Sequence, residues 1–202
     1  DVKYLLLKEN KTSIQPYLKK IKETISPKTK LIYLSSPNSV TGQDIKKEEF
    51  ERYLEDIPDN VIILIDQRFV DFSKSSSKRF DPLQYLDRNI IILRSFNNFY
   101  GVENLEHSYI IANEKLSNFI NETIVINQVT KFDDDIMCEV YNDKVYYDKI
   151  RDKMKTEKER IYTELKTAGL NFYKSDTYFV LVETNERKET IKKKLEREKI
   201  IL

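Results

Sequence analysis

Three short apolar runs, LIYLS at 31–35, VIILID at 61–66 and IIILRS at 90–95, constrain the fold of this chain more than any other feature. Each is rich in β-branched residues and lacks the alternation of a half-solvated strand. That is the pattern of strands covered on both faces, as in a parallel sheet. Between the first two, KKEEFERYLEDI at 46–57 sets Phe50, Tyr53 and Leu54 at helical spacing amid charge, which predicts a strand, helix, strand crossover. A fourth strand is predicted at YIIAN, 109–113, followed by a helix from Glu114 to about Thr123 with Leu116, Phe119 and Ile120 inward.

From Phe132 to about Thr167 the pattern is helical, with Ile150, Met154, Ile161 and Leu165 as its apolar stripe and Gly169 placed to end it. The run is too long for one ordinary helix, so a break is predicted near Asn142, between helices starting at about Asp134 and Lys144. A strand YFVLVE at 178–183 and a helix at 185–198 complete the reading. The fold class is α/β, a mainly parallel sheet flanked by helices. Residues 1–143 are expected to form part of a large domain, and 144–202 an interdomain helix and the beginning of a small C-terminal α+β domain.

Composition narrows the function classes. With 35 basic against 34 acidic residues and a net charge of +1, no long-range field selects nucleic acid or an anionic membrane as a partner. No apolar run approaches the roughly 20 residues of a membrane-spanning helix. Only three glycines are present, so a Gly-rich phosphate loop of the Walker or dinucleotide type is excluded. The single Cys138 cannot form an internal disulfide, and a cytoplasmic location is the default expectation. Cys138 is expected on the apolar side of its helix, beside Ile136 and Met137, as a small hydrophobe. His107, without Cys or carboxylates at ligand spacing, reads as surface packing, and Asp133, Asp134 and Asp135 as helix-start residues, so no metal is expected. SKSSSKR, 73–79, reads as a polar connection.

Three segments, in order, resemble the cofactor-binding motifs of fold-type I pyridoxal-phosphate aminotransferases, most closely the histidinol-phosphate aminotransferase group. SPNSVTG at 36–42 is similar to the family's SPNNPTG loop, with Pro37, Asn38, Thr41 and Gly42 agreeing. LIDQRFVDF at 64–72 resembles IDEAYxxF, in which the Asp pairs with the pyridinium nitrogen, and Asp66 matches it. LRSFNNFYG at 93–101 resembles LRSFSKxYG, where the Ser contacts the cofactor phosphate and the Lys forms the Schiff base; Ser95, Phe96, Tyr100 and Gly101 match. Weaker agreement runs through SYIIANEKL, 108–116, and SDTYFVLVE, 175–183.

The departures from those motifs share one direction. The alignment sets Asn98 at the Schiff-base lysine, and an amide nitrogen is neither nucleophilic nor basic. It also puts Glu106 where the family has a phosphate-clamping Arg, Ser39 at the cofactor Asn, Phe69 at the cofactor Tyr and Val40 at the motif's second Pro. The resemblance implies pyridoxal phosphate as cofactor, while these substitutions lead us to expect that none is bound and that no catalytic residue is present. Cofactor contacts, if any, fall to Asp66, Ser95, Ser39 and Phe69, with Asp66 equally readable as a turn former. The family's segment ahead of Asp1 and its carboxylate-binding Arg after Leu202 are missing, which suggests a fragment of a longer protein. The leading expectation is a pseudoenzyme domain serving structure, dimerisation or ligand and partner binding. The alternatives are a working transaminase and a sensor that binds a small ligand without chemistry. The resemblance also implies a homodimer.

Overall fold

The structure, a computed structural model, describes residues 2, 15–73, 79–105, 107–124, 129–184 and 186–200. Its centre is a four-stranded sheet in the order β1 (Leu31–Ser35), β2 (Ile62–Asp66), β3 (Ile90–Ser95) and β4 (Ser108–Ala112). The first three strands pair in parallel and β4 pairs antiparallel to β3. All four fall within a residue or two of the runs that predict them.

One face of this sheet carries the core. Ile32 and Leu34, Ile63 and Ile65, and Ile90 and Ile92 point to the same side in register, where α1 (Gln15–Lys22) and α2 (Lys47–Leu54) cover them. α2 inserts the predicted Phe50, Tyr53 and Leu54, and Phe50 stacks on Phe80 with ring centroids 3.7 Å apart. α1 was not anticipated; it contributes Leu18 and Ile21 to the same cluster.

The opposite face departs from the expected two-sided burial. Leu31, Tyr33, Ile62, Leu64, Ile91, Leu93 and Ile110 lie on it by strand register, and Leu31, Tyr33 and Ile110 are 52%, 46% and 42% exposed. Their apolar character matches a covered strand, but the cover is partial: Ile91 is buried and Ile62, Leu64 and Leu93 are half-buried.

Beyond the sheet, α3 (Asn97–Tyr100) is a single turn ended by Gly101 in the left-handed conformation, where a side chain would be strained. α4 (Glu114–Thr123) begins where predicted, its start capped by the Asn113 side-chain Oδ1 accepting from the Leu116 N–H. Leu116 is buried and Ile120 half-buried, but Phe119 is 61% exposed, because residues four apart share the inward line and Phe119 falls to its solvent side. α5 (Lys131–Asn142) and α6 (Lys144–Thr167) are separated at Asp143, one residue from the predicted break. The cap of α5 is Thr130, in a reciprocal box with Asp133.

Cys138 is exposed, contrary to expectation: α5 turns Met137 inward and the next residue out. The four stripe residues of α6 are half-buried, and its anchors are Tyr147 and Tyr162. Tyr147 donates to the carbonyl of Tyr100 at 2.9 Å, and the Tyr162 hydroxyl accepts from the Ser175 N–H at 2.8 Å. The run 178–183 is not a strand. Only an isolated antiparallel bridge, Phe172 to Val182, forms there, since the ladder has no further partner among the described residues. α7 (Lys188–Arg197) falls inside the predicted 185–198. Lys74 to Lys78 of the polar connection lie outside the described residues.

Candidate functional site

The three matched motifs converge at the carboxyl ends of β1, β2 and β3, the end of an open parallel sheet where ligands bind. Asp66 and Ser95 sit on the face opposite the core, as strand register dictates, and both are buried there. The loop after β1 is held by Asn38, whose Oδ1 accepts from the N–H groups of Val40 and Thr41 at 3.0 and 2.9 Å. Ser39 is thrown outward and exposed. Gly42, at φ +70°, passes so close to the segment after α6 that a Cβ there would lie 1.9 Å from the Ser175 hydroxyl. Its carbonyl accepts from the Asp176 N–H at 2.7 Å.

Asp66 is 2% exposed and fully engaged. Arg68 donates through Nε to Oδ1 and Oδ2 at 3.0 and 2.9 Å, its Nη2 lies 2.8 Å from Oδ2, and its backbone N–H reaches Oδ1 at 3.0 Å. The Tyr33 hydroxyl donates to Oδ2 at 2.5 Å. A carboxylate offers about four lone-pair positions, and these donors fill them. Burial alone would raise the Asp66 carboxyl; the bonds from Arg68 and Tyr33 outweigh it and hold the group below the ordinary carboxylate value. Tyr33 is pushed up to about 12 by burial and by the Asp66 charge.

The remaining positions are spent in the same manner. The Ser95 hydroxyl donates to the His107 carbonyl at 3.2 Å and accepts from the Asn97 N–H at 3.1 Å. Phe69 turns into an aromatic group with Phe72 and Phe179, at centroid distances of 6.2 and 5.6 Å. Asn98 is half-buried on α3, and Glu106 lies outside the described residues. The buried Oδ1 of Asn97 has no partner among the described residues, but as an acceptor it cannot bind a phosphate oxygen. These residues do not fit a protonated pyridine: the acidic partner of the ring nitrogen already holds a cation. Sequence reasoning missed Arg68 and Tyr33. The signal for Arg68 was present, since it stands where IDEAY has its small Ala.

Two neighbouring features frame the site. A cleft of about 600 Å³ is lined by Asp44, Glu49, Lys155, Lys158 and Asp176, among others, and by none of Asp66, Ser95 or Asn98. Asp44, on its wall, accepts from the Ser36 hydroxyl at 2.7 Å, and its backbone N–H donates to Asp176 at 3.0 Å. Arg79 Nε lies 2.7 Å from its Oδ2, though not aligned as a hydrogen bond. Elsewhere His107 Nε2 and an Asp133 oxygen are 3.3 Å apart, and among the described residues no group of three or more His, Cys, Asp or Glu could hold a metal.

A mixed, mostly parallel sheet with these three motifs at its carboxyl end defines the fold-type I aminotransferase architecture, and the chain belongs to the aminotransferase class I and II family, whose model matches residues 2–202. Among curated relatives it is 28% identical over 171 residues to histidinol-phosphate aminotransferase 2 of Carboxydothermus hydrogenoformans, covering 84% of this chain and 47% of that protein. The histidinol-phosphate aminotransferase of Clostridium acetobutylicum superposes with a TM-score of 0.82 at 21% identity, over 96% of this chain and 59% of that one. That of Sinorhizobium meliloti, solved with pyridoxal-5'-phosphate, gives 0.75 at 18% identity, over 92% and 50%. The chain thus spans about half the length of the curated relatives it matches.

Proposed function

We propose that this chain is an aminotransferase-like pseudoenzyme unit, its former cofactor pocket turned into an internal structural joint, serving scaffolding, dimerisation or partner binding within a larger protein. The observation that carries this reading is the closed Asp66, Arg68 and Tyr33 cluster, since it takes up the acid that would anchor the ring. Asn98 at the lysine position, Phe69 facing other aromatics and Ser39 facing water support it. The division at 143 and 144 belongs to the same reading, with residues 1–143 as part of the large domain, and so do a homodimer and a cytoplasmic location. Among the described residues no helix is long and apolar enough to cross a membrane.

A second reading is favoured by a specific observation. The curated relatives are histidinol-phosphate aminotransferases, and the motifs keep their order, so a pyridoxal-phosphate transaminase remains the rival. The two separate in one experiment: pyridoxal phosphate is added to the purified protein, the mixture is reduced with borohydride, and the adduct is mapped by mass spectrometry. Scattered substoichiometric labelling of surface lysines is expected, whereas one stoichiometric adduct on a single lysine would sink the pseudoenzyme reading.

A further inference from the structure

We propose that Arg68 is a specificity residue, a cation supplied by the chain itself that occupies the place of a protonated aromatic ring and bars such ligands from Asp66. The inference deepens the pseudoenzyme reading and rests on it. Three geometric facts carry it. Arg68 follows Asp66 by only two residues, and its own backbone N–H is bonded to the same carboxylate, so the guanidinium is tethered beside the acid and does not depend on a mobile loop. Its side chain grips both oxygens in a forked contact, the geometry that guanidinium forms best with carboxylate. Tyr33 takes a further lone pair from the neighbouring strand.

The charges decide the outcome. Asp66 and Arg68 sum to zero, so an arriving pyridinium meets a neutral, saturated pair in place of a buried anion. Arg68 stays protonated at any working pH, and the contact with Asp66 raises its basicity further, so titration does not release the acid. Without the guanidinium, Asp66 would be a buried carboxylate held by Tyr33 and one backbone N–H, with acceptor positions open on the side that the half-exposed Arg68 side chain now fills. A cationic ring would then gain a charge-assisted hydrogen bond that the intact chain denies it.

The test uses pyridoxamine 5'-phosphate, which carries the ring but no aldehyde and therefore cannot label lysines. Binding is measured by calorimetry on the intact chain, Arg68→Ala, Arg68→Gln and the double variant Asp66→Asn with Arg68→Ala. We expect no saturable binding to the intact chain, a gain of about tenfold or more in Arg68→Ala, a smaller gain in Arg68→Gln, and loss of the gain in the double variant. Arg68→Gln keeps a neutral donor beside Asp66 and serves if Arg68→Ala does not fold. Equal binding by the intact chain and the foldable Arg68 variants would overturn the inference, as would a gain that survives loss of the Asp66 charge. A borohydride-trapped adduct on one lysine of the intact chain would instead count against the pseudoenzyme reading, an outcome separate from these arms.

Discussion

Acid usually weakens a folded protein by protonating paired carboxylates, and Asp44 is expected to act in the opposite sense. Burial, reinforced by the Asp176 charge, raises its carboxyl from 3.8 to about 6, although Arg79 and Ser36 pull the other way. The folded chain therefore holds this proton more tightly than the unfolded chain does. Its contribution is absent above about pH 7, grows as pH falls through 6, and is complete below 3.8. At about 1.4 kcal/mol per pH unit, the gap between 3.8 and about 6 is worth about 3 kcal/mol in full, and close to half of that is realised by pH 5. The perturbation is Asp44→Asn, which keeps an oxygen for the Ser36 hydroxyl but cannot titrate. The Arg79 ion pair fades on the same titration and its pull is already part of the value of about 6, so only the slope of the difference between the two proteins matters. Urea unfolding followed by far-ultraviolet circular dichroism between pH 7.5 and 4.5 reads it. The intact chain should gain on the variant by about 1 to 2 kcal/mol as pH falls to 5. A flat difference, or one of opposite sign, would refute the assignment of a desolvated carboxylate at Asp44.

Three further outcomes are expected. Gly42→Ala meets the Ser175 hydroxyl at 1.9 Å and forces a left-handed backbone on a side chain, so chemical denaturation should show a loss of at least about 2 kcal/mol. Phe50→Ala empties a fully buried site stacked on Phe80 and should lower stability by about 3 to 5 kcal/mol in the same assay. Asn98→Lys should leave transamination of histidinol phosphate undetectable in a coupled assay, because Arg68 still holds Asp66; recovered turnover would contradict the proposed function.

What the sequence disclosed, and what it withheld, follows the range of the interactions involved. The strands, the crossover helix and α4 rest on periodicity and caps within a few residues, as with Asn113 ahead of Leu116, and these were legible. The break at Asp143 was legible for the same reason. Side-chain direction depends on partners distant in sequence, and there the reading failed. Among the described residues Cys138 and Phe119 face outward on their helices, and YFVLVE has strand chemistry without a strand to pair with. At the candidate site the motif comparison found Asp66, Ser95, Ser39, Phe69 and Asn98, since each occupies a fixed place in a local pattern. It did not reveal that Tyr33, more than thirty residues earlier, closes upon Asp66, because register between strands decides that contact, whereas Arg68, two residues from Asp66, was within reach of a local reading.

The partly covered face of the sheet bears on how this chain behaves as a material. Leu31, Tyr33 and Ile110 hold hydrocarbon against water, and each square ångström so held forgoes about 25 cal/mol that contact with another apolar surface would return. In solution such a face acts as an adhesive, strengthened by sulfate-type salts and by warming over the ordinary laboratory range. The first property to show itself in a purified sample should accordingly be stickiness, which grows with concentration and yields when that face is shielded.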